Sequence, residues 1–119
     1  MQKIIVIPDS FKGSMSSPEV ADILAAAAMK YVKCDVIKIP IADGGEGSVD
    51  CILRAKGGTR RLATVHSPEG TLIEAAFGIV DGNTAVIEIA ESSGLTKQTG
   101  FHALDATTYG FGELIKAAL

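Results

Sequence analysis

The sequence has no tryptophan, two tyrosines and four phenylalanines, 5% aromatic in all. A core built on stacked rings is therefore excluded. With 47% hydrophobic residues the interior has to come from Ile, Val, Leu and Ala, which suits a sheet covered by helices. Cysteine is equally scarce. Cys34 and Cys51 stand far apart with no CxxC spacing, which argues against a disulfide framework or a metal site and for two small buried side chains. Positive charge is not in excess: 11 Lys and Arg against 14 Asp and Glu give a net charge of -3. That removes the electrostatic footprint of a nucleic-acid binder. The one basic pair, Arg60-Arg61, reads as a solvated strand end. Long apolar runs are missing too. The five apolar residues after Met1-Gln2-Lys3 are too few for a signal peptide, and the run Val20–Met29 is broken by Asp22 and too short for a membrane span. The chain reads as a single cytoplasmic domain with no membrane or nucleic-acid partner.

The apolar residues that are present fall into a clear order. Lys3–Pro8 is a β-branched run with the pattern of a strand buried on both faces. A helix follows, with Ser16 or Ser17 as cap, Pro18 in the first turn and Glu19 beside it. Val20, Ile23, Leu24 and Ala27 recur at helical spacing and are expected to face the sheet. Asp35–Pro40 is a second strand, and a glycine-rich loop leads to a helix from about Glu46 to Lys56, with Val49, Ile52 and Leu53 inward and Gly57-Gly58 as the stop. This strand–helix–strand–helix order predicts parallel strands joined by right-handed crossovers. The pattern then changes to strands at Arg61–His66, Thr71–Val80 and Thr84–Ala90, with turns at 67–70 and 81–83, an antiparallel meander. A loop, Glu91–Ala106, leads to a last helix at Thr108–Leu119, whose stripe Leu114, Ile115, Ala118 and Leu119 is still running at the final residue. The expected fold is α/β: Rossmann-like parallel strands with flanking helices over about 1–58, the meander over about 59–90, then loop and last helix over 91–119. The unfinished stripe suggests a piece of a longer protein, with exposed apolar surface and self-association.

Two polar loops leave the C-terminal ends of the parallel strands and enter helices, the edge where open α/β sheets bind ligands. The first is Asp9-Ser10-Phe11-Lys12-Gly13-Ser14, a carboxylate, an ammonium and two hydroxyls beside a glycine. The second is Asp43-Gly44-Gly45-Glu46-Gly47-Ser48, whose glycines let the backbone approach a ligand. Carboxylates here can hold Mg²⁺ or accept a hydroxyl proton, and Lys12 can neutralise a transferring phosphate. Each signal alone has an ordinary explanation: Asp as cap or turn former, Lys12 as a solvated lysine, glycines for the turn. No Walker spacing is present, and Gly110-Phe111-Gly112 lacks a dinucleotide fingerprint's third glycine. Glu88, by strand alternation, faces inward with Val86 and Ala90 and needs a partner, as a structural or a functional glutamate. Thr107, Thr108 and Glu113 are explained as helix capping. His66 and His102 have no second ligand at metal spacing; His102, in a polar loop, is a minor candidate for a proton donor.

Together these blocks resemble the glycerate kinase family, the two-domain bacterial type, through essentially the whole chain. The blocks are Pro8–Ser14, Ala42–Ser48, Ala85-Val86-Ile87-Glu88 with Ser93-Gly94-Leu95, and Thr108-Tyr109-Gly110 with Gly112-Glu113-Leu114. Ser48 stands where the family usually has Thr, Ile89 where it commonly has Met, and Phe101–Asp105 lacks a proline-containing segment. The resemblance implies an N-terminal portion, residues 1–119, of a two-domain kinase that transfers phosphate from ATP with Mg²⁺ to D-glycerate in a cleft between domains. It implies Asp9, Lys12 and Asp43 as catalytic groups, and Ser10, Ser14, Gly44, Gly45, Glu46 and Glu88 as substrate-binding ones, with the metal ligands unassigned. Two other readings stay open: a non-catalytic α/β module that binds an anionic metabolite or docks to a partner, and a kinase for another small hydroxy acid.

Overall fold

The computed structural model describes residues 2–100 and 103–119. It divides into two compact units, Met1–Asp43 and Gly44–Leu119. The boundary falls inside the second glycine-rich loop, so the helix after that loop belongs with the antiparallel strands and not with the parallel ones.

In the first unit, β1 (Gln2–Val6) pairs in parallel with β2 (Cys34–Lys38), with Ile4 opposite Val36. The crossover is α1 (Ser17–Tyr31). It starts as its sequence dictates. Ser16 donates through both its backbone N–H and its hydroxyl to Glu19 Oε2, at 2.7 Å each, and Pro18 fills the first turn where its missing N–H costs nothing. The Glu19 carboxyl is held below its ordinary range by those hydrogen bonds, the hydroxyl's first. Burial departs from expectation. The inward stripe of α1 is Ser17, Val20, Ala21 and Ala25, while Ile23, Leu24 and Ala27 are exposed. Nor is β1 buried on both faces: Val6 is covered, but Ile5 and Ile7 remain more than half exposed. The reason is geometric. One helix covers one face of a two-stranded sheet, and small alanines let α1 sit close, so the larger side chains lie to either side of the contact.

The second unit opens with α2 (Ser48–Lys56), which ends at Gly57. It continues as β3 (Thr59–His66), β4 (Leu72–Val80) and β5 (Thr84–Val86), an antiparallel sheet in the order β3-β4-β5. In α2, Val49 is buried and Leu53 half-buried, but Ile52 is exposed. The expected strand to Ala90 stops at Val86; Ala90–Ser93 is instead a helical turn, α3, followed by a 3-10 turn at Leu95–Lys97. Last comes α4 (Tyr109–Ala118). Val65, Ala75, Phe77 and Leu114 form the core, with Ala63, Ile73, Ile79, Ile87 and Ala118 packed around it. Register explains the set: Ala63 faces Ala75 and Val65 faces Ile73 across the ladder, so one face of β3–β4 is apolar and α4 covers it. The C-terminal stripe is thus only partly open, since Leu114 is fully buried while Ile115 and Leu119 are exposed. Gly110 permits the close docking of α4, because a Cβ there would lie 1.8 Å from the His66 carbonyl oxygen.

Cys34 and Cys51 are half-buried and unbridged, less enclosed than expected. Arg60, at the start of β3, pairs with Asp50 and lies 3.8 Å from Glu91, which accounts for half of the Arg60-Arg61 pair as surface charge balance. Among the described residues, no helix is long and apolar enough to cross a membrane.

Candidate functional site

Parallel pairing of β1 and β2 sends both of their exits from one edge of the first unit. The segments stay joined beyond the strands. Ile39 N donates to Val6 O at 2.9 Å, and Ile41 N lies 3.5 Å from Pro8 O. Ser17, buried at the start of α1, closes the arrangement: its hydroxyl donates to Pro8 O at 2.7 Å and accepts from Ile41 N at 3.0 Å. One side chain therefore fixes the exits of both strands, on which Asp9 and Asp43 stand. The sequence shows Ser17 only as a possible helix cap; nothing local marks this bridging role.

Within the first loop, Asp9 Oδ1 accepts the backbone N–H of Ser10 at 2.7 Å. Phe11 to Met15 forms a tight turn, with Phe11 N donating to Met15 O at 2.9 Å and Ser14 N to Phe11 O at 2.9 Å. Lys12 stands exposed at the tip of that turn, and Asp9 and Ser14 are exposed as well. The loop thus keeps the Asp9 carboxylate and the Lys12 ammonium open to solvent. Asp43, at the other exit, is exposed too.

In the second unit the loop 44–48 is held from inside. Gly47 adopts φ +88°, a left-handed conformation open to glycine, and Ser48 folds back on Gly45, its hydroxyl donating to Gly45 O at 2.7 Å. Glu88 reaches the same loop across 41 residues. Gly47 N donates to its Oε1 at 3.0 Å and Val49 N to its Oε2 at 2.8 Å. Glu88 is 4% exposed. It does face inward and does have a partner, yet it stands past the end of β5 and not on a strand. Each of its two oxygens accepts a backbone amide. Gly44 and Glu46 are exposed and Gly45 half-buried.

A third feature corrects the reading of Thr108 and Glu113 as helix caps: Thr108, at the N-cap of α4, makes no side-chain cap hydrogen bond, and Glu113 lies beyond the first turn and pairs with a distant residue. Glu113, in the second turn of α4, accepts the backbone N–H of His66 at 2.8 Å and lies 2.9 Å from His66 Nδ1, with Tyr109 edge-on to the imidazole at 5.6 Å. A carboxylate only accepts, so Nδ1 carries the proton in this pairing. These bonds hold the Glu113 carboxyl below its ordinary range, the backbone N–H first. Because the partners are 47 residues apart, no spacing signals them. An open depression of about 790 Å³ runs along α4 from Thr107 to Ala117, and none of the residues assigned to the reaction lines it. His102 lies outside the described residues.

A mixed α/β chain whose parallel strands send polar loops from one edge belongs, as a class, with α/β folds in which that edge is where ligands bind. Comparison narrows that class. The model of the glycerate kinase family matches residues 4–119, and the chain belongs to that family. It is 43% identical to a glycerate kinase of Bacillus subtilis and 40% identical to a glycerate 2-kinase of Escherichia coli, each over 121 residues and 98% of this chain. A Salmonella typhimurium LT2 protein assigned as glycerate kinase 2 has a crystal structure that superposes with a TM-score of 0.68 at 37% identity over 98% of this chain. The chain spans 32% of the length of each of these relatives.

Proposed function

We propose that this chain is the N-terminal portion of a kinase that transfers phosphate from ATP to D-glycerate, and that alone it binds ligand without turnover. The family match over nearly the whole chain carries the reading. In the first unit, a carboxylate, Asp43 or Asp9, accepts the proton of the attacking hydroxyl. Lys12 neutralises charge on the phosphoryl group or on the glycerate carboxylate, and Ser10 and Ser14 hydrogen-bond the anion. In the second unit, Gly44 and Gly45 offer backbone to the ligand and Glu46 a carboxylate. Glu88 serves by shaping the loop. The name of the E. coli relative favours the 2-hydroxyl as acceptor.

The donor chemistry fits Mg²⁺. Asp9 and Asp43 carry exposed carboxylates, hard oxygen donors of the kind Mg²⁺ takes. Mg²⁺ commonly takes one or two carboxylates and completes its shell with phosphate and water. When bound, it supplies charge neutralisation on the phosphates. The test is a titration of the chain with D-glycerate and with MgATP, followed by amide NMR. Shifts at 9–14 and 43–48 that are reduced at least tenfold in affinity by Asp43→Ala support the reading. Shifts confined elsewhere, or none with either ligand, sink it for this chain.

A further inference from the structure

A helix leaves its first backbone N–H groups without intrahelical partners and carries partial positive charge at that end. Such an end, following a glycine-rich loop, is where an anionic ligand is ordinarily expected. In α2 three of the first four amides, those of Gly47, Ser48 and Val49, already have acceptors. Gly47 N and Val49 N donate to the two oxygens of Glu88 at 3.0 and 2.8 Å, and Ser48 N, between them, donates to Gly45 O at 3.2 Å. Cys51 N starts the intrahelical ladder by donating to Gly47 O at 3.0 Å. Glu88 is buried at 4% exposure, so water competes little for these donors. The carboxylate comes from the segment after β5, where the chain leaves the sheet at Val86 instead of continuing the ladder.

We infer that Glu88 is the resident anion of α2: it occupies the place of a ligand phosphate or carboxylate and is the positioning residue that sets the shape of Gly44–Ser48. A ligand at this loop is then not met by the Gly47, Ser48 or Val49 amides. This deepens the proposed function by giving the second glycine-rich loop a fixed form, and it rests on that reading only for what the loop is used for.

The test uses the chain itself, by amide NMR and hydrogen exchange. In the wild type, inorganic phosphate at tens of millimolar leaves the Gly47 and Val49 amides unmoved. In Glu88→Ala both amides shift and exchange roughly tenfold faster or more, the size expected when hydrogen bonds to a buried charge are lost. Formate then restores both in the variant while leaving the wild type unchanged, a rescue that general loosening of the fold would not give. Phosphate-induced shifts of Gly47 and Val49 in the wild type overturn the inference. So does a folded Glu88→Ala with both amides at wild-type values, or with no response to formate. Should Glu88→Ala fail to fold, Glu88→Gln decides. It keeps one acceptor oxygen, so one of the two amides exchanges faster and the other holds; two unchanged amides overturn the inference. Absence of any response to D-glycerate or MgATP counts against the kinase reading and leaves this result standing.

Discussion

The two units use their apolar residues in opposite ways. Residues 2–43 are rich in Ile, Val and Ala, yet Ile5, Ile7, Ile37 and Ile39 are all more than 40% exposed on the sheet face that α1 does not cover. The second unit buries Val65, Ala75, Phe77 and Leu114 to 4% exposure or less. It then adds a second device: among the described residues, four glutamates accept backbone amides from distant segments. Glu69 takes Thr99 and Gly100, Glu88 takes Gly47 and Val49, Glu91 takes Ala76, and Glu113 takes His66. Among the described residues of the first unit the carboxylate contacts to backbone amides are local: Glu19 takes Ser16, three residues away, and Asp9 takes its neighbour Ser10. Apolar content thus does not measure burial. What counts is how many faces of a sheet have a helix to lie against, and the second unit has α4 on one face of its sheet and Leu53 of α2 against Gly78 on the other.

Equal truncations on the two sides should therefore have unequal effects. Leu114→Ala removes a fully buried side chain from the middle of the second core and is expected to cost about 2–5 kcal/mol. Ile5→Ala removes a side chain that is 57% exposed, and is expected to cost about 1 kcal/mol or less. Urea denaturation of both variants checks the contrast. Matching losses would mean that the open face of the first unit is covered in solution, and the comparison would fail. Ser17→Ala comes next. It removes two hydrogen bonds at a buried position and leaves Ile41 N–H only the long 3.5 Å contact to Pro8 O, an expected loss of about 1–3 kcal/mol. Faster amide exchange at Ile41, with α1 otherwise intact, would locate the effect at the strand exits; an unchanged Ile41 would show that Ser17 does not bridge them.

Local signals carried the element order, and contacts made at long range did not appear in it. Ser16, Pro18 and Glu19 mark the start of α1, Gly57 ends α2, and the turns at 67–70 and 81–83 mark the meander, each because its chemistry is decided within a few residues. The inward face of α1 was not legible, because Val20 to Met29 is apolar on several faces and periodicity cannot choose among them. The end of β5 was hidden for a related reason. Thr84–Ala90 alternates like a strand, but Glu88 is drawn to the amides of α2, 39 and 41 residues earlier in the chain. The same holds for the candidate site. Asp9, Lys12 and Asp43 were visible as residue types at strand ends, whereas Ser17 and Glu113 act on partners 9 to 47 residues away.

The smallest expected effect separates the two depressed carboxyls. Glu113 and Glu19 both sit below an ordinary value of 4.5, held there by donors that favour the ionised form. A carboxyl whose folded value is lowered stabilises the fold fully above 4.5, and that contribution is lost as pH falls through the lowered value. Glu113→Gln should therefore be less stable than wild type near neutral pH, with the gap constant above about pH 5 and closing in acid. Glu19→Gln should follow the same sign with a smaller gap, since Ser16 is its local partner while Glu113 ties α4 to β3. Denaturation of the three proteins from pH 7 to pH 3 measures both gaps. A Glu113→Gln gap that is the same at both ends of that range would mean that the side chain acts by shape and not by charge. A Glu19→Gln gap as large as that of Glu113→Gln would remove the distinction between a glutamate that caps its own helix and one that joins two segments.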